Sequence, residues 1–119
     1  MKQSFQIIAD LKKCKSPQNY FFNLNDIKKE AGNIIKKSGF KIINFCGHKF
    51  KNSGVSLVFL VSESHVAIHT WPEHGSVNID IFFCNYSKNN AKKGEVALKM
   101  FRDVFQSGNV AKKLIKRTY

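Results

Sequence analysis

The stretch that organises this chain is Ser62-Glu63-Ser64-His65-Val66-Ala67-Ile68-His69-Thr70-Trp71-Pro72-Glu73-His74-Gly75. The run before it, Val55 to Val61, is almost wholly apolar and predicts a strand buried on both faces. The run after it, Val77 to Cys84, begins with apolar and polar residues in alternation and predicts another strand. Reactive polar groups between such strands are costly unless each has a partner or a task. We therefore expect the chemistry here, against the simpler interpretation of a plain turn and a polar sheet edge.

The size and cysteine content of the chain indicate one small intracellular domain. With 119 residues and 43% hydrophobic content, we expect a single domain over residues 1–119 with a modest core. Three cysteines without a C-x-x-C spacing favour neither a disulfide framework nor a zinc ribbon, and they suit a reducing cytoplasm. No apolar run approaches the ~20 residues that span a bilayer, and residues 1–10 lack the features of a signal peptide. The expectation is a soluble, cytoplasmic protein without a membrane partner.

The net charge of +12 raises the possibility of nucleic-acid binding. Nearly all the basic residues are lysines, and only Arg102 and Arg117 offer the bidentate contacts that base and phosphate recognition favours. The lysines come in scattered pairs rather than in one stripe with interleaved aromatic residues. This distribution predicts a solvated basic surface and no specific nucleic-acid partner.

Two helices are predicted outside the central stretch. Asn25 is a candidate N-cap for the first, which has an apolar stripe and should end at Gly39. The stripe consists of Ile27, Ala31, Ile34 and Ile35. The second helix has an apolar face and should end at Gly108. That face consists of Ala97, Met100, Phe101, Val104 and Phe105.

The remaining strand patterns define the fold class. They cover Ser4 to Leu11, Phe40 to Phe50 and a final edge strand from Val110 to Tyr119. Consecutive strands interrupted by two helices predict an α+β, two-layer sandwich, in which the two helices cover one face of a mostly antiparallel sheet.

Hairpin geometry suggests which reactive residues meet. A hairpin centred near Glu73 places His69 near Val77 and Cys84 within a residue or two of Ser64. A tight turn at residues 62–64 brings Ser56 level with Thr70, next to His69. The pattern therefore predicts that Ser56, Ser64, His69 and Cys84 converge at one end of the sheet.

The same residues could form two other kinds of site. A zinc site would use His65, His69 and Cys84, but a structural site needs four ligands and no second paired motif supplies the last. A hydrolase would use Ser64 and His69 with Glu63 or Asp80, but no G-x-S-x-G elbow accompanies the serine. The residues favour neither, and no metal is expected.

The motifs themselves resemble those of a known family. Gly54-Val55-Ser56, the string Glu63-Ser64-His65 with Ile68-His69-Thr70-Trp71-Pro72-Glu73, and Asp80-Ile81-Phe82 with Cys84 resemble the small prokaryotic class of S-adenosylmethionine decarboxylase, a pyruvoyl enzyme. The resemblance is dense over residues 48–85 and collinear over almost the whole chain. It implies that the proenzyme cleaves itself between Glu63 and Ser64, into a β chain of residues 1–63 and an α chain of residues 64–119.

The resemblance also implies a role for each site residue. Ser64 becomes the pyruvoyl cofactor, whose carbonyl forms a Schiff base with the substrate amine and acts as an electron sink. His69 transfers protons during processing with help from Ser56, a role that suits imidazole. Cys84 protonates the carbanion left after decarboxylation.

Substrate and assembly follow from the same resemblance. Phe50 and Trp71 contact the adenine and sulfonium of S-adenosylmethionine, and Glu73 accepts hydrogen bonds from the ribose. The product, decarboxylated S-adenosylmethionine, supplies spermidine biosynthesis. Protomers pack sheet to sheet in a homodimer or larger assembly, an αββα arrangement, and complete each other's pockets.

Four departures from the family pattern leave the substrate open. Leu57 and Asn85 replace glycines, His74 replaces a common tyrosine, and the Gly-x-His usual near the first strand is absent. Relatives of this family include pyruvoyl-dependent arginine and ornithine decarboxylases, which are the first alternative. A catalytically silent basic binding protein on the same fold is the second.

Overall fold

The structure is a computed structural model that describes residues 4–62, 64–84 and 91–118. Its elements in chain order are β1 (Ser4–Cys14), α1 (Asn19–Phe22), α2 (Leu24–Lys37), β2 (Lys41–Lys49), β3 (Val55–Ser62), β4 (Ser64–Trp71), β5 (Ser76–Cys84), α3 (Ala91–Phe105) and β6 (Ser107–Arg117). A 3-10 turn, Pro72–His74, joins β4 to β5.

The six strands form one sheet in the order β2-β3-β4-β5-β1-β6, and every neighbouring pair is antiparallel. The helices cover one face of the sheet, so the predicted α+β architecture is confirmed, with the short helix α1 as an addition that was not predicted. Within the described ranges, no helix has the length and apolar character needed to cross a membrane.

Helix α2 confirms the predicted apolar stripe but begins earlier than predicted. Its N-cap is Asn23, whose side-chain oxygen accepts a hydrogen bond from the Asp26 amide at 3.0 Å. Asn25 is therefore already inside the helix, and its prediction as the cap is wrong. Asn23 ends α1 and has an extended backbone there. This is the conformation that an N-cap requires, so α2 begins directly after it. Gly39 has a φ of 100° and follows the helix as expected.

The core lies between the sheet and the helices. Alternate residues of β1, β3, β4 and β5 face α2 and α3 and are almost completely buried. The largest residues of the core, which come from both the helices and the sheet, are Phe21, Phe59, Phe83, Phe101 and Phe105.

Among the described residues, no helix lies on the opposite face of the sheet, which exposes apolar side chains. On β3, Val58 is 42% exposed and Leu60 is 49% exposed, and Ile8 on β1 is also exposed. The prediction that β3 is buried on both faces is therefore wrong for the single chain, because the helices cover only one side. We call this side, defined by Ile8, Val58, Leu60, Ala67 and Phe82, the open face.

The register of the central strands places the reactive residues. In the β3–β4 hairpin Val61 pairs with Ser64 and Ser56 pairs with His69. In the β4–β5 pair Ser64 lies opposite Phe83 and His69 lies opposite Asn78. Both registers are one residue from those inferred from sequence.

Candidate active site

Ser56 and His69 form a hydrogen-bonded pair on the open face. They are direct cross-strand neighbours on β3 and β4, and Ser56 Oγ lies 2.7 Å from His69 Nδ1. Both are half-buried. The bond occupies Nδ1 and leaves Nε2 to face another group. A hydroxyl and an imidazole in this arrangement are suited to move a proton.

The Ser56–His69 pair lines a pocket of about 260 Å³. The turn at Ser53 and Gly54 forms one side of it, and Phe50 and Trp71 add aromatic walls. Four residues singled out from sequence therefore come together here. Glu73 is in the 3-10 turn after Trp71, where it is exposed and does not line the pocket.

Gly54 and Thr70 hold β3 and β4 at a fixed distance beside the pocket. The buried Thr70 hydroxyl accepts a hydrogen bond from the Val55 amide at 2.9 Å and donates one to the Phe21 carbonyl at 2.8 Å. A Cβ atom added at Gly54 would lie 2.1 Å from the Thr70 carbonyl oxygen. Only glycine allows this approach of the two backbones.

Gly54→Ala is expected to lower the free energy of unfolding by about 3 kcal/mol, because the backbone of Thr70 must shift to admit the methyl group. Urea denaturation in a Ser64→Ala background, which should keep the chain in one piece, measures this. The matched control is Gly32→Ala, whose Cβ would meet its nearest atoms at 3.9 and 4.0 Å in helix α2. The control should be neutral or slightly stabilising. Equal effects of the two substitutions would contradict the role given to Gly54.

Ser64 combines a strained backbone with a buried hydroxyl that lacks a partner. Its φ is 146°, a conformation that residues with a side chain rarely adopt. Its Oγ is buried and has no hydrogen-bond partner in the part of the chain that the structure describes. An unpaired buried hydroxyl costs about 1–3 kcal/mol. Strain and an unpaired hydroxyl at one residue are more typical of a reactive site than of a structural turn.

Cys84 lies near Ser64. Ser64 pairs with Phe83, and Cys84 is the next residue of β5, half-buried and paired with Ser4 on β1. The other two cysteines are elsewhere: Cys46 is exposed on β2, and Cys14 ends β1. Burial raises the pKa of the Cys14 thiol, an effect that a hydrogen bond with Ser107 partly offsets. Of the three cysteines, Cys84 is therefore the one whose strand position is next to the partner of Ser64.

The predicted convergence of all four residues is wrong within one chain. Ser64 begins β4 and His69 is five residues further along it, so an extended strand separates their Cα atoms by about 17 Å. Ser64 and Cys84 lie at one end of the sheet, whereas the pocket with Ser56 and His69 lies towards the other. The sequence pattern predicts the correct strands, but the length of β4 keeps Ser64 and His69 apart.

The structure adds Asn78 and Asp10, two polar residues that the sequence analysis did not single out as site residues. Asn78 lies opposite His69, and Asp10 lies opposite Asn78 on β1. The sequence feature that could have revealed them is a polar residue within the alternating pattern of each strand. Among the described residues, no three His, Cys, Asp or Glu side chains form a group that could hold a metal ion.

The fold of this chain also occurs in a solved structure. It is similar to that of a crystal structure of the adenosylmethionine decarboxylase from Aquifex aeolicus VF5, with a TM-score of 0.87 over 99% of this chain and 92% of that one. The sequence identity of that pair is 24%, so this likeness establishes the fold.

Sequence comparisons then give the family. Residues 5–118 match the model of the family described as S-adenosylmethionine decarboxylase. The S-adenosylmethionine decarboxylase proenzyme of Syntrophomonas wolfei is 35% identical over 93% of this chain and 83% of its own length. The proenzyme of that name from Moorella thermoacetica is 50% identical, and the match spans 51% of each chain. This chain belongs to the S-adenosylmethionine decarboxylase family.

Proposed function

We propose that this chain is a self-processing, pyruvoyl-dependent decarboxylase of S-adenosylmethionine. The observation that carries the proposal is Ser64, with its φ of 146° and its buried, unpaired hydroxyl at the start of β4. A residue that must turn into a carbonyl group benefits from both features. The strain favours rearrangement of the backbone, and no group within the described ranges holds the hydroxyl in a competing hydrogen bond.

Cleavage uses atoms of the chain itself. The Ser64 Oγ attacks the carbonyl carbon of Glu63, a residue outside the described ranges, and the bond from that carbon to the Ser64 nitrogen breaks to give an ester. Removal of the Ser64 α-proton then breaks the Cβ–Oγ bond and releases residues 1–63 with a carboxylate end. Water replaces the nitrogen of the remaining dehydroalanine, ammonia leaves, and a pyruvoyl group starts the chain 64–119. Each proton transfer needs a base or acid near Ser64.

We propose that His69 of a second copy of the chain supplies that proton-transfer group. Within one protomer the Cα atoms of His69 and Ser64 are about 17 Å apart, which is too far for a direct proton transfer between their side chains. Two protomers packed through their open faces around a two-fold axis would place the partner's His69 beside Ser64 and Cys84, and the reverse. The same packing would cover Ile8, Val58 and Leu60, which are exposed in the single protomer. We therefore include a homodimer in the proposal.

The residues of the pocket suit S-adenosylmethionine. The pyruvoyl group supplies an electron sink when carbon dioxide leaves. Phe50 and Trp71 present aromatic faces that can stack on adenine and contact a sulfonium cation. In the proposed dimer the partner's Cys84 would reach this pocket and donate a proton to the carbon that lost the carboxylate. Glu73, which follows Trp71 in the chain and lies just outside the pocket, would accept hydrogen bonds from the ribose. A bare diamino acid would use neither aromatic wall.

Two of the departures from the family pattern, Leu57 and His74, do not line this pocket. Leu57 is fully buried on the helix-covered face, so its side chain points away from the pocket. His74 is exposed in the 3-10 turn. Asn85 lies outside the described residues. The positions of Leu57 and His74 therefore leave the aromatic walls of the pocket available to S-adenosylmethionine.

Release of labelled carbon dioxide from S-adenosylmethionine, arginine and ornithine, measured side by side on cleaved protein, tests this function. We expect turnover of S-adenosylmethionine, and we expect Glu73→Gln to raise its KM about tenfold, the effect of weakening a charged hydrogen bond. The control Asp80→Asn changes a carboxylate on β5 beside Ala67 and should have a smaller effect. Turnover of arginine or ornithine alone would favour the alternative decarboxylases, and cleaved protein inactive on all three would indicate a silent binding protein.

A further inference from the structure

Three side chains from neighbouring strands form a hydrogen-bond chain on the open face. The Trp71 Nε1–H donates to Asn78 Oδ1 at 2.6 Å, and Asn78 Nδ2–H donates to Asp10 Oδ1 at 2.8 Å. Trp71 is on β4, Asn78 on β5 and Asp10 on β1, which are adjacent in the sheet. The chain begins at one aromatic wall of the pocket and ends two strands away.

The chemistry of the three groups permits only one order. An indole N–H only donates and a carboxylate only accepts, whereas an amide does both. Asn78 can therefore satisfy both neighbours only with its oxygen towards Trp71 and its NH₂ towards Asp10. The carboxylate fixes the amide, and the amide fixes the indole. This matters because Trp71 is 43% exposed.

We propose that Asn78 and Asp10 are positioning residues that hold the Trp71 indole in place as a preformed wall of the substrate pocket. A ring already held in its binding orientation loses less conformational entropy when a ligand stacks on it. The effect on substrate affinity rests on the proposed function, whereas the restraint of the indole does not. Neither residue touches the reacting atoms, so both act through Trp71.

Fluorescence tests the restraint directly, because Trp71 is the only tryptophan in the chain. Asn78→Asp places a second carboxylate against Asp10, and repulsion should pull the acceptor away from the indole. We expect the variant to gain a fast depolarisation on the ps–ns timescale of freely rotating side chains. Adding Asp10→Asn restores a donor opposite the new carboxylate and should return the anisotropy decay to that of the wild type. Asp10→Asn alone should have the smaller effect, because its amide can still accept from Asn78.

The KM for S-adenosylmethionine tests the consequence. Asn78→Asp should raise it about fivefold with kcat unchanged, the effect of losing one hydrogen bond of average net strength. The double variant should recover the wild-type KM. Trp71→Phe keeps a ring without an N–H, so it should raise KM by itself and make Asn78→Asp silent. The matched control is Asn109→Asp, the same change on the edge strand β6, which should alter neither readout.

The outcomes separate this inference from the proposed function. Unchanged depolarisation in a folded Asn78→Asp variant, or additive rather than compensating effects in the double variant, would overturn the restraint. If the anisotropy decay changes in Asn78→Asp and is restored in the double variant, but the KM of Asn78→Asp equals that of the wild type, the positioning role is overturned. If S-adenosylmethionine is not a substrate, the fluorescence results still decide whether the indole is held. If Asn78→Asp does not fold, the KM values of Trp71→Phe and of the double variant are compared. Trp71→Phe should have a raised KM and the double variant a wild-type KM, and a raised KM in the double variant would contradict the positioning role.

Discussion

Co-expression of a Ser64→Ala chain with a His69→Ala chain is expected to restore the cleavage that each variant lacks alone. Ser64→Ala has no hydroxyl to attack, and His69→Ala should slow cleavage by about 100-fold, a typical contribution of a general acid–base group. In a mixed dimer the Ser64 of the His69→Ala chain would face the partner's His69, which is intact. One of the two sites is then complete.

Random pairing sets the size of this effect. Half of the dimers would be mixed, so about half of the His69→Ala chains and none of the Ser64→Ala chains should be cut, with about a quarter of the wild-type decarboxylase activity. Different affinity tags and intact-mass analysis distinguish the two chains. Mixing His69→Ala with Ser56→Ala is the control, because Ser56 and His69 belong to the same half of a site. Each site of such a mixed dimer keeps one defect, so neither site should regain wild-type cleavage. Complementation is absent if His69 acts on its own chain, and that result would refute the two-protomer site.

Ser64→Ala by itself is expected to abolish both cleavage and decarboxylation. The substitution removes the attacking oxygen and the precursor of the cofactor, so residual activity should fall to the level of the buffer. Intact-mass analysis should show wild-type protein as residues 1–63 and a chain from position 64 that is lighter by one ammonia than a serine-terminated one. The variant should remain a single chain of 119 residues.

Ser62→Ala is the matched control for that experiment. Ser62 ends β3 in the same hairpin, two positions from Ser64, and it is half-buried like Ser64. Its φ is not positive, and its hydroxyl is not among the buried unpaired ones. We expect this variant to cleave and to turn over substrate. An uncut wild type with full activity would refute the pyruvoyl mechanism. Loss of cleavage in Ser62→Ala would contradict the assignment of Ser64 as the reactive residue.

Much of the secondary structure and the family of the protein could be predicted from sequence. The stripe of Ile27, Ala31, Ile34 and Ile35 predicts α2, and Gly39 marks its end, because helical periodicity and caps depend on residues only a few positions apart. The dense motif around Ser64 and His69 predicts the family in the same local way.

Only the tertiary structure decided which of these residues meet. Ser64 and His69 are close in sequence, yet an extended β4 holds them at opposite ends, while Ser56 and His69, thirteen positions apart, share a hydrogen bond. Val58 and Leu60 have the composition of core residues, but no helix reaches their side of the sheet. Contacts of this kind depend on strand length, register and which face is covered. These properties arise when distant parts of the chain pair, so no local pattern contains them.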